Sequence, residues 1–462
     1  MNVSVSLPAA MRRLLAQALP ILVAQLASIG MMLVDTVVLG HVSPEDLAAV
    51  AIGSGIVVSI VFALVGIVQA VAPVAAHLHG ARRDSEVAGV LQQGFWLAAL
   101  LALPGMALLL RPQFMLEPFG LDAVVTLKVE QYLNLLAWYL PAAIFYRTFY
   151  AFCSALGRPR VLMGIGLFGL GVHAVLAWGL AQQGWLGEAP GGGGGWGGEP
   201  LGVVGCALSN VAVVWLECLC AALWLHFGPL GQRYQPFRHW RGPRWESWRE
   251  LLRLGVPMGL SNLIEITAFT LVSLFVASLG AAVVGGHRII ANLSALAYML
   301  PLSLGIATMA AVGQALGARA WAEARCLTRA GLWLATVSSV LTGLLLWLAA
   351  RPVIAAYTDD PAVQAVALAL IGYVAVYQFV DALQTVAGHV LRACRVTFAP
   401  MLIQMFCFWG IALGGGAWLC YRWTPPLGVA GFWLAAVIAL AAAAALLLPL
   451  MYRVLDSVTA EG

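Results

Sequence analysis

Charge is scarce in this chain: only 10% of its 462 residues are Asp, Glu, Lys or Arg, while 62% are hydrophobic. An average soluble domain carries about 25% charged residues, so a water-soluble fold is excluded. The eight cysteines are scattered, with no Cys-x-x-Cys pair and no His/Cys cluster at zinc spacing, and are expected to serve helix packing. The alternating runs of about ten residues that membrane barrels need are lacking as well. Neither HExxH nor GxSxG occurs, so a membrane-embedded enzyme would have to assemble its nucleophile and base, or its metal ligands, without a recognisable signature. No catalytic residue and no cofactor is assigned.

What the chain has in abundance is apolar length. A spanning helix needs about 20 mainly apolar residues. Twelve such segments are read at 14–39, 48–76, 88–110, 124–153, 160–183, 200–226, 250–278, 283–312, 325–349, 361–391, 397–420 and 427–452. The first is too long for the apolar part of a signal peptide and no small-residue cleavage site follows it, so it is expected to remain as a helix. The expectation is an all-α integral membrane protein of twelve transmembrane helices. Orientation follows from basic residues in short loops. On one face lie Arg12, Arg13, Arg82, Arg83, Arg158, Arg160, six arginines between Arg233 and Arg253, Arg319, Arg325, Arg329, Arg392, Arg395 and Arg453; on the other lie only Arg111, Lys128, Arg351 and Arg422. Arg147 and Arg288 fall inside predicted helices. Both termini are therefore expected in the cytoplasm, and the formal charge of +4 reflects topology and gives no argument for nucleic-acid binding.

The chain also repeats itself. A shift of 237 residues aligns Pro20 with Pro257, Gly80–Arg82 with Gly317–Arg319, and "GFWLA" at 94–98 with "GLWLA" at 331–335. Farther on, "LGVVG" at 201–205 matches "LGVAG" at 427–431 at a shift of 226, because the first half carries an extra loop, "GEAPGGGGGWGGEP". Six helices per half is an even number, so the halves form parallel repeats, two lobes around a central cavity. Expected bounds are 1–230 for the N-terminal lobe, 231–249 for a cytoplasmic linker and 250–462 for the C-terminal lobe. The Arg- and Trp-rich linker suits either an interfacial helix against anionic headgroups or a solvated connector. The glycine-rich loop is expected to be a flexible connection, since phosphate cradling needs a strand before it and a helix N-terminus after it.

Residues that serve the fold should recur in both halves, and the membrane acids do not. Asp35 corresponds to Val272, Glu265 to Ser28, and Asp381 to Ala143 or Ile144. Asp35 lies fifteen residues past its helix proline and Glu265 eight past the matching one, which puts Asp35 about 10 Å nearer the outer surface. Asp381 sits mid-helix with Tyr377 one turn earlier on the same face. Two carboxylates in one lobe can bind a hard cation such as Na⁺ through oxygen alone, or share a proton. A purely structural reading stands beside each: a hydrogen-bond acceptor near a helix end for Asp35, structural polar groups for Glu265 and Asp381, and a packed or interface-displaced acid for Glu217. Asp359 and Asp360, in "YTDDPAV", fit an N-cap ahead of helix 10.

At these residues the chain resembles the multidrug and toxic compound extrusion family, in its NorM-type bacterial branch. The resemblance rests on "PILVAQLASIGMMLVDTVVLGHVSPEDLAAVAIG", "GVPMGLSNLIEITAF", "YTDDPAV" and "LRACRVTFAP" and covers nearly the whole chain. It implies two six-helix lobes exporting amphipathic, often cationic drugs in exchange for Na⁺ or H⁺, by a monomer in the bacterial inner membrane. Carried over, Asp35 is the coupling or substrate carboxylate of the N-terminal lobe. Glu265, Asp381 and Tyr377 form the cation site of the other lobe, and Asp359 and Asp360 stand near cationic substrate. Two departures are visible: "GGHRIIANL" replaces a family His-Gln pair with His287 and Arg288, leaving His287, Arg288 and Asn292 as cavity candidates, and "GLGVHAVLAWGL" in helix 5 lacks the family's Asn residues. An Arg288 facing the cavity would repel cations unless it paired with an acid such as Glu265. A flippase for a lipid-linked precursor is the alternative within transport, and it would need a strongly basic cavity.

Overall fold

The computed structural model describes residues 6–117, 122–185, 199–238 and 240–460. Twelve long helices run through it: α1 Leu7–Gly40, α2 Pro44–Gly80, α3 Asp84–Leu109, α4 Ala123–Ala155, α5 Pro159–Gln182, α6 Gly202–Phe227, α7 Trp245–Ala277, α8 Ala281–Gly317, α9 Trp321–Leu348, α10 Pro361–Ala393, α11 Phe398–Tyr421 and α12 Val429–Ala460. Eleven are apolar and long enough to cross a bilayer. The remaining one, α4, has 33 residues and carries Lys128, Glu130 and Arg147. At 1.5 Å per residue, even the shortest reaches the roughly 30 Å needed. All twelve predicted segments appear, extended by a few residues where amphipathic turns continue beyond the apolar run. Large apolar side chains stand exposed on the outside, among them Leu274, Phe227 and Leu348 at 68–70%. On a soluble protein such a surface would aggregate; around a membrane protein it meets lipid.

Proline sets the irregularities. Pro73 cannot donate to the carbonyl four residues back, and α2 is broken there into Pro44–Val68 and Val71–Gly80, around Gln69 and Ala70. Pro20 and Pro257 lie inside α1 and α7 at the same repeat position. Duplication reaches the backbone: Arg82 and Arg319 close α2 and α8 with φ of 55° and 56°. The glycine-rich loop falls, except for Glu199 and Pro200, outside the described residues.

The lobes meet at the end that carries the basic loops. One apolar cluster there is shared by both, joining Leu14, Val74 and Phe152 with Val312, Leu327 and Val390. Toward the far end the core divides in two: Leu39, Val57 and Leu133 belong to one cluster, and Ile290, Val374 and Trp433 to another. Arg13 Nη1 pairs with Glu323 Oε1 at 2.6 Å, and Arg13 Nη2 donates to Gln314 Oε1 at 3.0 Å. Gln314 Nε2 donates to Ala155 O, and His77 Nε2 lies 2.6 Å from Ala393 O. Among the described residues, every hydrogen bond and ion pair between α1–α6 and α7–α12 lies in the basic half or at mid-membrane, the last being Asn262 Nδ2 to Phe62 O at 3.4 Å. The lobes therefore close at the basic end and part at the other.

Glycine permits that closure. A Cβ on Gly80 would lie 2.0 Å from Gln314 O, and one on Gly317 would lie 2.0 Å from His77 O. Gly80 and Gly317 are repeat equivalents, and so are His77 and Gln314, so the contact is a two-fold latch made by one motif meeting its copy. The segment joining α6 to α7 is loop in its described residues between the short helix Pro229–Tyr234 and the start of α7 at Trp245, with no interfacial helix among them. The loop lies on α3 instead: Gln92 Nε2 donates to Pro236 O, Gln93 Nε2 to Gly242 O and Trp96 Nε1 to Arg241 O, and Gln93 Oε1 accepts from Arg244 N.

Candidate functional site

Two polar sites lie inside the lobes, one in each. In the C-terminal lobe, a cavity of about 340 Å³ opens among α7, α8, α10, α11 and α12. Glu265, Asn292, Tyr298, Tyr377 and Asp381 line it, with Phe269, Phe408 and Trp433 as apolar walls. Tyr377 and Asp381 face it together because they are one helical turn apart on α10. Asp381 is 2% exposed; its Oδ1 accepts from Gln384 Nε2 at 2.9 Å. Gln384 Oε1 is buried without a partner, so the neighbourhood offers one more oxygen acceptor than its own donors satisfy. Glu265 makes no hydrogen bond or ion pair among the described residues, although Asp381 and Arg392 lie within its electrostatic range. Two acids held close with so few donors can be relieved by a cation or by a shared proton. Among the described residues no three His, Cys, Asp or Glu side chains converge. A cation here would thus be held by two carboxylates and neutral hydroxyl and amide oxygens, which suits a hard ion.

His287 lines the same cavity and accepts at Nδ1 from Trp433 Nε1 at 3.3 Å, the two rings 5.9 Å apart. Arg288 is exposed and is not among the residues that line this cavity, although Asn292, one turn further on the same face of α8, is. Among the described residues no Lys or Arg lines this cavity, which therefore lacks the basic character that a lipid-linked pyrophosphate would require.

In the N-terminal lobe, Asp35 is 6% exposed and both its oxygens are engaged. Oδ1 accepts from His173 Nε2 at 3.0 Å and Oδ2 from Asn210 Nδ2 at 2.9 Å. Ser209 Oγ stands 2.9 Å from His173 Nδ1, completing a chain from α1 through α5 to α6. Helix 5, which lacks the Asn residues of the family pattern, thus answers Asp35 with an imidazole. Sequence reading missed His173, Ser209, Asn210, Tyr298 and Gln384; the one available signal was a histidine inside an apolar span. Asp359 and Asp360 stay exposed at the far end, outside the cavity, and Asp360 Oδ1 caps α10 by accepting from Ala362 N at 2.8 Å.

The geometry agrees with what the chain is similar to. The family model MatE matches residues 20–178 and again 257–418, two copies set apart by the internal repeat. A probable multidrug resistance protein NorM of Aromatoleum aromaticum is 49% identical over 92% of this chain and 90% of its own length. The multidrug resistance protein NorM of Vibrio vulnificus is 32% identical over 93% of this chain and 92% of its own. Among solved structures, the eukaryotic MATE transporter AtDTX14 superposes with a TM-score of 0.86, covering 98% of this chain and 99% of that one at 17% identity. An outward-facing multidrug resistance MATE transporter superposes at 0.87, with 17% identity and coverage of 97% and 96%. The chain belongs to the MatE family of multidrug efflux transporters, in the company of its NorM members, and is a membrane transporter and no enzyme.

Proposed function

We propose that the protein is a cation-coupled antiporter that exports amphipathic, often cationic drugs from the cytoplasm, with Na⁺ or H⁺ moving inward through the C-terminal lobe. One observation carries the reading: Glu265 and Asp381 share a cavity inside a membrane-spanning lobe, and Glu265 has no hydrogen-bond donor among the described residues. Burying acids this way in a membrane costs several kcal/mol unless an ion or proton joins them. The lobes are parallel repeats of 1–230 and 250–462, linked by 231–249 on the cytoplasmic side, and the termini lie on that side of the bacterial inner membrane. Closure at the basic end then corresponds to an outward-open form, and export proceeds when the lobes rock to the opposite arrangement. A bound cation can drive that change only through different affinities for the two arrangements, and the ligand-poor cavity supports such a difference. Drug occupies the cleft between the lobes, held by apolar and aromatic walls with acids nearby. Asp35 is the carboxylate of the N-terminal lobe that changes partners during the cycle. Asp359 stands at the outer rim where a cation would be released. The functional unit is the monomer.

The test is dye export and drug resistance in cells producing Glu265→Gln or Asp381→Asn. Both variants should reach the membrane in normal amount and lose export. Wild-type export by both would refute the assignment.

A further inference from the structure

Besides Asp35 and Asp46, which pairs with Lys128, the N-terminal lobe contains a further buried acid that neither the fold nor the coupling site accounts for. Glu217, on α6, is 8% exposed, so it is not displaced to the membrane interface. It forms no hydrogen bond and no ion pair among the described residues. Its repeat counterpart at the 226-residue shift is Ala443, buried and apolar, so the scaffold closes well without a carboxylate there. Space is made for it nonetheless: a Cβ at Gly169 of α5 would lie 2.5 Å from Glu217 Oε1 and 3.1 Å from Met31 Cε of α1.

Its surroundings are titratable on several sides. From α4, Arg147 lies within electrostatic range, as do the hydroxyls of Tyr139 and Tyr146; from its own helix, Cys218 is adjacent. Arg147 is in turn placed by α1 and α4, with Nη1 3.5 Å from Gln25 Oε1 and its guanidinium 5.6 Å from the Tyr150 ring. His173 is one helical turn beyond Gly169 on the same face of α5, and Asn210 is two turns from Glu217 on the same face of α6. Asp35, His173 and Asn210 therefore form the far-side layer of a polar track, and Gly169, Glu217, Arg147 and Gln25 form the next layer toward the basic end. The layers are roughly 10 Å apart on α6.

We propose that Glu217 is a second proton-binding carboxylate of the N-terminal lobe, with Arg147 as its positioning counter-charge and Asp35–His173 as the neighbouring station. When a proton arrives, one O–H bond forms and the carboxyl is neutral. When it leaves toward the basic end, the carboxylate faces Arg147, and no other bond changes. A membrane acid with neither donor nor direct ion pair is cheap when protonated and costly when ionised, unless a cation is at hand; Arg147 supplies one at a distance that leaves the carboxylate free to take the proton back. The assignment rests on the antiport reading and extends it to the N-terminal lobe.

The test uses purified protein in proteoliposomes, exporting a lipophilic cationic dye under a pH gradient or a Na⁺ gradient imposed separately. Wild type should respond to the pH gradient, Glu217→Gln should lose that response, and Glu217→Asp should recover part of it. Glu217→Gln driven by pH like wild type would overturn the proposal, as would a wild type that responds to Na⁺ alone; the latter leaves antiport standing. A wild type that responds to neither gradient removes the antiport reading itself. If Glu217→Gln does not fold, Gly169→Ala keeps the carboxylate but pushes its flexible end aside. That variant should shift the pH midpoint of export, and an unshifted midpoint would overturn the proposal.

Discussion

Replacing Gly317 with alanine probes the latch between the lobes. The new Cβ would stand 2.0 Å from His77 O, a backbone atom that cannot rotate away. Nonbonded heavy atoms settle at roughly 3.5 Å, so α2 and α8 must part by on the order of 1 Å or more at their basic ends. Overpacking of this kind costs about 1–3 kcal/mol, and the cost falls only on the arrangement closed at that end. The equilibrium between the two arrangements should then move by about 5–150-fold toward opening at the basic side. Gly80→Ala, the symmetry-related change against Gln314 O, should act in the same direction. The pair shares one interface, so the effects should not add. Double electron–electron resonance between labels at Ser85 and Arg329, in a background without reactive cysteine, reads the separation. Gly372→Ala is the control, since nothing lies within 4 Å of its added Cβ. A Gly317→Ala distance distribution identical to that of the control would refute the latch.

Other outcomes follow from individual contacts. His173→Ala removes the partner of both Asp35 and Ser209 and should cost about 1–3 kcal/mol, seen as a lower Tm in detergent; His173→Gln, which keeps a donor, should lose less, and unchanged stability of the alanine variant would discount the network. Asp360→Ala should remove the cap of α10 and about 1 kcal/mol of stability with export intact. Asp359→Asn should leave Tm unchanged while weakening binding of a cationic dye, and the reverse pattern would exchange their roles.

Much of this architecture could be read from the chain because duplication leaves a visible register. The 237-residue shift that pairs Pro20 with Pro257 also pairs the two glycines of the latch, though nothing in the shift says that each copy packs on the other. Glu265, Asp381 and Tyr377 were legible because acids in apolar spans stand out, and Tyr377 and Asp381 share a helical face. Tyr298 and Gln384 were not, since aromatic and amide residues in such helices have many uses and only packing brings these two to the carboxylates. His173 lies 138 residues from Asp35, and no local pattern joins them. Of the three cavity candidates on α8, His287 and Asn292 line the C-terminal-lobe cavity and Arg288 does not, a distinction that depends on the rotation of α8 and that sequence alone leaves open.

The central claim is that an inward cation gradient drives outward drug movement through Glu265 and Asp381. It is tested most directly by dye export from proteoliposomes under imposed gradients, comparing wild type with Asp381→Asn. The account predicts export by wild type when Na⁺ or H⁺ is the higher on the side opposite the dye, and none by Asp381→Asn under either. Export by wild type at equal rate without any gradient, or unchanged gradient-driven export by Asp381→Asn, would contradict it.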